Sequence, residues 1–345
     1  VPEQRGSAIT LEAEVLEGLL PLAEAEAAEL GFIGFKPVTD TSAQFRVASL
    51  DAPTYRQLSR ARLVVAFHQL LRFRVPRPRA LLGDEHFRRL TGAARQLQQL
   101  GGHRSFRISA AGADSAVFQR LTAEFSRSTG LRHDPDEGEL LLRFRRSRDG
   151  WEVLLRLTPR PLSARAWRVC NLEGGLNATI AAAMNRLLLE GRDSAEGVYL
   201  NAMCGSGTLL AEWCALTGRP ATGFDLSASA LDCARDNLAE LHDRVELFQA
   251  DAAAVPRPDA SFTFISSDPP WGDDIGNHED NARLYPAFLA EAERLLVPGG
   301  RLVLLSHEIK LLRRLLPQTR GLSVRRELRV WHGGHRPGIW LLQKQ

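Results

Sequence analysis

The sequence predicts an α/β protein whose C-terminal half is a doubly wound, largely parallel sheet and whose N-terminal half is a smaller α+β module. Two observations carry this. From about Pro159, short apolar runs alternate with amphipathic helical stretches, as parallel strands joined by crossover helices require. Before that point, turn residues break the chain into mixed helices and strands, with a proline-stiffened junction at Val75-Pro76-Arg77-Pro78-Arg79. The expected segments are 1–75, 76–160 and 161–345.

Residues 1–75 read as strand, helix, strand, strand, helix, strand. Glu12–Leu30 places Val15, Leu16, Leu19, Leu22 and Ala23 at helical spacing and is predicted as a helix. Phe32–Pro37 and Ala43–Ala48 read as strands around Asp40-Thr41-Ser42. The middle segment gives helix Leu81–Leu100, strand Ser105–Ala110 and helix Ser115–Thr129. A hairpin of Glu139–Arg145 and Trp151–Leu157 then turns at Arg148-Asp149-Gly150, leaving an open sheet face. In the last segment, helix Leu176–Leu189 precedes strands Gly197–Ala202, Ala221–Asp225, Val245–Ala250, Phe262–Ser267 and Arg301–Ser306. Helices Thr208–Leu216, Ala228–Leu241, Asn281–Leu296 and Glu308–Leu316 are interleaved with them, and Leu322–Trp331 and Ile339–Gln343 close the sheet as an antiparallel pair.

At 44% hydrophobic and 25% charged, the 345 residues suit a globular chain and exclude wholesale disorder. No stretch approaches the ~20 apolar residues of a membrane span. Val1-Pro2-Glu3-Gln4-Arg5 has no apolar core behind a basic start, so no secretory signal is expected. The four cysteines form no CxxC pair and are too few for a disulfide framework, so Cys204, Cys214 and Cys233 are expected as packing residues in a cytoplasmic, membrane-free protein. Charge is uneven. Residues 1–170 hold 26 Lys+Arg against 19 Asp+Glu, whereas residues 171–345 hold 18 against 22. Arg56–Ile108 alone has 12 arginines and two acids, the footprint expected for a polyanionic partner.

Three loops carry chemistry. Asn201-Ala202-Met203-Cys204-Gly205-Ser206-Gly207-Thr208 joins a strand to a helix, and its glycines allow a tight turn that offers helix N–H groups to an anion. Asp225 and Asp251 end the next two strands, where a carboxylate reaches ribose hydroxyls or an adenine amine. A nicotinamide dehydrogenase would share this much, but it needs a hydride-transfer acid or base that nothing in the sequence singles out. The fourth strand then ends in Asp268-Pro269-Pro270-Trp271. Two prolines fix the backbone so that Asp268 and a carbonyl present acceptors to an NH2 group, and Trp271 supplies a stacking face. His332-Gly333-Gly334-His335 has hairpin spacing and no accompanying acid or cysteine cluster, so no metal is expected.

Asp268–Trp271 resembles the (D/N)PP(Y/F/W) motif of class I methyltransferases that modify exocyclic amines. Upstream, Pro161–Arg168 and Leu176–Met184 resemble the domain junction of THUMP-domain RNA methyltransferases, above all the tRNA guanine-N2 enzymes; Arg283-Leu284-Tyr285 and Pro298–Leu302 also fit. The resemblance implies a ferredoxin-like domain at 1–75, an RNA-gripping THUMP domain at 76–160 and a Rossmann-like catalytic domain at 161–345. It implies S-adenosylmethionine as cofactor, held by Thr179, Asn201, Cys204, Gly205, Ser206, Gly207, Asp225, Leu226, Asp251, Ala252 and Asp268. It makes Asp268, Pro269, Pro270 and Trp271 catalytic and a tRNA acceptor-stem guanosine the target, flipped out of its stack and covered by the polar stretch Gly272–Asn281. Arg72, Arg74, Arg77, Arg79, Arg165 and Arg168 are the implied RNA contacts, with Phe73 among them for stacking. Asn201-Ala202 departs from the family's Asp or Asn followed by Pro, and Trp271 replaces the commoner Tyr. Ribosomal RNA as substrate, adenine as target, and an RNA-binding protein without turnover stay open at this point, and the features are compatible with a monomer.

Overall fold

The computed structural model describes residues 8–192, 194–271, 278–331 and 333–345. The chain forms two compact units, one running to Val15 and then from Leu20 to Ser163, the other comprising Leu16–Leu19 and Ala164–Gln345. No helix among the described residues is long and apolar enough to cross a membrane.

The first unit contains β1 (Ile9–Val15), α1 (Leu20–Glu29), β2 (Lys36–Thr39), β3 (Ser42–Val47), α2 (Ala52–Leu58) and β4 (Val64–Phe73). After a 3-10 turn at Pro78–Leu82 come α3 (Asp84–Gly101), β5 (Ser105–Ser109), α4 (Ala116–Thr129), β6 (Arg132–His133), β7 (Leu140–Ser147) and β8 (Gly150–Arg156). The helix expected from Glu12 begins only at Leu20. Ile9–Val15 alternates apolar and polar residues at period two, which pairs it with β3 and β4 instead. All eight strands form one sheet, ordered β2-β3-β1-β4-β8-β7-β5-β6, so strands from both sides of the Val75–Arg79 junction are hydrogen-bonded neighbours.

Strand alternation gives this sheet two different faces. Leu11, Phe67, Phe106, Phe144 and Leu155 are buried, with Phe118 and Phe125 of α4 packed against Phe144 and Phe106. The opposite row carries charge across four strands. Arg145 pairs with Glu12 at 2.7 Å and with Glu152 at 2.8 Å, and Glu152 also holds Arg72 at 3.0 Å. In the same row, burial and then the nearby Arg143, Arg156 and Arg145 push His68 down to about 3, so it stays neutral.

The second unit contains α5 (Ala178–Leu189), β9 (Tyr199–Ala202), α6 (Thr208–Thr217), β10 (Ala221–Asp225), α7 (Ala228–Asn237), β11 (Val245–Gln249), β12 (Phe262–Ser267), α8 (His278–Leu295), β13 (Leu296–Ser306), α9 (Ile309–Leu315), β14 (Leu322–Arg329) and β15 (Gly338–Lys344). Sheet order is β11-β10-β9-β12-β13-β15-β14, with the first five parallel and β15 antiparallel to both neighbours. The two closing strands are antiparallel as expected, and their placement follows from composition. Ile339–Leu342 is buried throughout and takes the inner position, whereas β14 (LSVRRELR) puts its arginines at the edge. The chain starts at β9, winds out to β11 and returns to β12 on the other side, so strand order reverses between β9 and β12. Ligands bind at the strand C-termini of such a reversal.

The charge ladder of the first sheet generates one test. Glu152→Ala removes the carboxylate shared by Arg72 and Arg145 and is expected to cost about 1–2 kcal/mol, seen as a lower urea midpoint. Combining it with Arg145→Met should recover part of the loss. Strict additivity of the two substitutions would show that the ladder carries no coupling.

Candidate active site

A cavity of about 720 Å³ opens at the C-terminal ends of β9, β10, β11 and β12, within the second unit. It is lined at one end by the loop after β9, by Asp225 and by Asp251, and at the other by Asp268–Trp271, Leu284, Gly333 and His335.

The loop after β9 turns through three left-handed residues, Met203 (φ 52), Gly205 (φ 52) and Gly207 (φ 81). A Cβ on Gly205 would meet no protein atom within 4 Å, so this glycine serves the turn and keeps the approach to the loop open. A Cβ on Gly207 would come within 2.8 Å of Leu238, so that glycine serves packing and lies outside the cavity lining. Met203, with a side chain, holds a conformation that costs about 1 kcal/mol or more. Asp225 ties the loop to the next one: Gly205 N–H donates to its Oδ2 at 2.8 Å and Ser227 N–H to its Oδ1 at 3.0 Å. Each oxygen keeps a second lone pair for a ligand. Asp251 is fixed by the Ala253 N–H at 2.8 Å.

The strip Leu172–Leu176 lines the same end and is fastened by buried Asn237 at the end of α7. Its Oδ1 accepts from the N–H groups of Val169 and Cys170, both at 2.8 Å, and its Nδ2 donates to the carbonyls of Cys170 and Ser206, both at 2.9 Å. A disulfide joins Cys170 to Cys233 of α7. This corrects the expectation that Cys233 merely packs. Cys204 and Cys214 are free and buried; burial raises both thiols, Cys214 to about 11, which rules them out as thiolate nucleophiles near neutral pH.

At the other end, Trp271 Nε1 donates to Asp268 Oδ1 at 3.0 Å, which sets the indole and carboxylate in fixed relation. The Tyr285 hydroxyl donates to the Pro270 carbonyl at 3.1 Å and pairs with Ser306 at 2.7 Å, so α8 and β13 brace the double-proline loop. Burial pushes the Asp268 carboxyl up to about 7, partly offset by the Trp271 N–H.

Of the residues expected to hold a cofactor, Cys204, Gly205, Ser206, Asp225, Leu226, Asp251, Ala252 and Asp268 line the cavity, together with Pro269, Pro270 and Trp271. Thr179 and Asn201 do not. Thr179 is fully buried in α5, and Asn201, also fully buried, donates to the carbonyls of Ala202 and Ser266, joining β9 to β12. Arg165 and Arg168 are engaged within the second unit. Arg165 forms a buried ion pair with Glu212 at 2.9 Å, and Arg168 donates to the Leu176 carbonyl and Thr208 Oγ1. Arg74, Arg77 and Arg79 are exposed, and Arg72 is half-engaged with Glu152. Phe73 is buried beneath Arg89 and His86 and offers no stacking face. Gly272–Asn277 and His332 lie outside the described residues, and with them most of the expected covering stretch Gly272–Asn281 and half of the histidine pair; His278–Asn281 form the first turn of α8. Sequence reasoning missed Met203, the Leu172–Gly175 strip and His335 as lining residues; Gly174-Gly175 was the one local signal for the strip.

The strand order and the two loops at its reversal define a Rossmann-like class I methyltransferase domain. The chain belongs to the UPF0020 family, the RMKL-like methyltransferase domain, which matches residues 165–337. It is 35% identical over 194 residues to a tRNA (guanine(6)-N2)-methyltransferase of Thermus thermophilus, covering 55% of this chain and 56% of that one. It is 39% identical over 153 residues to a U6 snRNA (guanine-N(2))-methyltransferase of Bos taurus, covering 43% of this chain and 28% of that one. The chain thus spans about half the length, or less, of these curated relatives. The crystal structure of TrmN from Thermus thermophilus superposes with a TM-score of 0.76 at 26% identity, over 98% of this chain and 100% of that one.

A buried carboxyl with a raised pKa has a cost whose sign can be checked. Asp268 is held at about 7 against 3.8 when unfolded, so its contribution to stability is full below 3.8 and is lost as pH rises to 7. At ~1.4 kcal/mol per unit the upper bound is about 4 kcal/mol, reduced by solvent in the open cavity. Asp268→Asn is therefore expected to be about 2–3 kcal/mol more stable than the parent at pH 8 and to lose that advantage near pH 4. Thermal denaturation across pH measures this, and a constant difference would contradict the assignment.

Proposed function

We propose that this protein transfers a methyl group from S-adenosylmethionine to the exocyclic N2 amine of a guanosine in tRNA, in the acceptor stem. One observation carries the reading: the Asp225–glycine-loop end and the Asp268–Trp271 end belong to one cavity. The Thermus thermophilus and Bos taurus relatives, both named guanine-N2 methyltransferases, support the choice of atom.

The donor set fits the cofactor. Asp225, anchored by two backbone N–H groups, would hold the ribose hydroxyls, Asp251 and Ala252 the adenine, and Gly205, Ser206 and the start of α6 the carboxylate. The bound cofactor supplies an electrophilic methyl, so positioning is the main task left to the protein. The Asp268 carboxylate and the Pro269 carbonyl accept the amine hydrogens and aim its lone pair, while the indole of Trp271 carries the base. The Trp271–Asp268 hydrogen bond keeps ring and carboxylate in register before substrate arrives. In this reading residues 1–75 form a ferredoxin-like domain and 76–160 a THUMP domain, with exposed Arg74, Arg77 and Arg79 contacting RNA phosphates.

Asp268→Ala is expected to lower methyl transfer from tritiated S-adenosylmethionine to unmodified tRNA at least about a hundredfold. Cofactor affinity in calorimetry should stay within a fewfold. Retention of half the parental turnover would overturn the assignment. Turnover of the parent is expected to rise with pH through about 7 as Asp268 ionises, and that limb should vanish in Asp268→Asn. Asp225→Ala should weaken cofactor binding by about tenfold or more.

A further inference from the structure

The acceptor end of the cavity contains an imidazole that the Asp-Pro-Pro-Trp motif leaves unused. His335, on the turn between β14 and β15, lines the cavity. Its ring centre lies 6.4 Å from that of Trp271, at 76° to the indole plane. His307, just beyond β13, backs it at 4.7 Å and 68°, and stands 6.1 Å from Trp271. The three rings form a corner in which Trp271 offers a flat face and His335 stands steeply to it.

The turn bearing His335 is held in place. It passes through Gly333 and Gly334, both at positive φ, and the next residue, Arg336, pairs with Glu17 and lies over the Trp331 ring. The Trp331 N–H donates to the Glu17 carbonyl at 3.3 Å, so both flanks of the turn are fastened. Among the described residues none hydrogen-bonds the His335 ring, although it is only partly exposed. At the acceptor end, Asp268 and His335 are the described lining side chains that can hydrogen-bond to the edge of a base; the Trp271 N–H is already given to Asp268.

We propose that His335 determines base specificity by donating a ring N–H to the O6 edge of the target guanine. This rests on the guanine-N2 reading of the site. A guanine lying on Trp271 with its 2-amine at Asp268 turns its O6 and N7 acceptors away from that carboxylate. Adenine places a donor amine where guanine has O6, so the ring favours guanine when the nitrogen facing the base carries its proton, and that tautomer meets adenine donor to donor. His307 acts as the wall that keeps the His335 ring upright.

The test uses the full chain, a tRNA transcript that it methylates, and the same transcript with 2-aminopurine at the modified position, which keeps the 2-amine and lacks O6. The parent is expected to lose at least about tenfold in kcat/KM on the 2-aminopurine transcript. His335→Ala should lose a similar factor on guanine and nothing further on 2-aminopurine, with cofactor affinity within twofold of the parent. His335→Gln, which keeps a donor, should recover part of the guanine rate. A His335→Ala variant within twofold of the parent on guanine overturns the proposal, as does an equal loss on both transcripts, because the side chain would then act elsewhere. A parental product other than N2-methylguanosine overturns the reading of the site itself, and this proposal with it.

Discussion

The site depends on β9 pairing with β10 on one side and β12 on the other. Because strand order reverses there, loops far apart in sequence leave the sheet along one edge and face a common crevice. Asp225 and Asp268 follow the two strands that flank β9, and Asp251 follows β11 one strand further out, so all three reach the same edge of the sheet as the loop after β9. Asn201 reinforces this pairing from inside, bonding across to Ser266 where a solvent-facing role would have left β9 and β12 less firmly joined.

The rest of the second unit converts that topology into rigidity. Polar residues that would look free for ligands are consumed in bracing: Asn237 ties α7, the 169–176 strip and the glycine loop; Arg165 and Glu212 tie the start of the unit to α6; Tyr285 steadies Pro270. Buried polar groups of this kind are costly when unpaired and specific when satisfied. On the cavity wall, the carboxylates of Asp225, Asp251 and Asp268 are each oriented by hydrogen bonding.

Much of this was legible in the sequence because the relevant signals are local. The strands Ala221–Asp225 and Phe262–Ser267 have the predicted bounds, since both are short apolar runs ending at an acid or a turn. Asp268–Trp271 stands out because two consecutive prolines after a strand stiffen its exit, and the structure places the four residues on the cavity wall. The misreadings share one cause: partners distant in sequence. Glu12–Val15 satisfies a helical pattern as well as a strand pattern, and only β3 and β4, about 30 and 55 residues on, decide between them. The bonds that Arg165 and Arg168 make to Glu212 and Thr208 are invisible in the sequence for the same reason, being about 40 residues apart or more. The Cys170–Cys233 pairing and the arrival of His335 opposite Trp271 are likewise products of the tertiary fold, invisible to spacing.

The disulfide has a consequence for how the cavity wall is held together. Its two cysteines are 63 residues apart, and the covalent ring they close contains α5, β9, α6, β10 and the start of α7. Closing a loop of that length removes chain entropy worth about 4 kcal/mol from the unfolded ensemble. Asp225 and the glycine loop lie inside the ring, whereas Asp268, Trp271 and His335 lie outside it. The cavity wall is therefore tethered unequally: the loop after β9 and Asp225 belong to a segment closed by a covalent bond, whereas Asp251, Asp268, Trp271 and His335 belong to segments joined to it only by packing and hydrogen bonds.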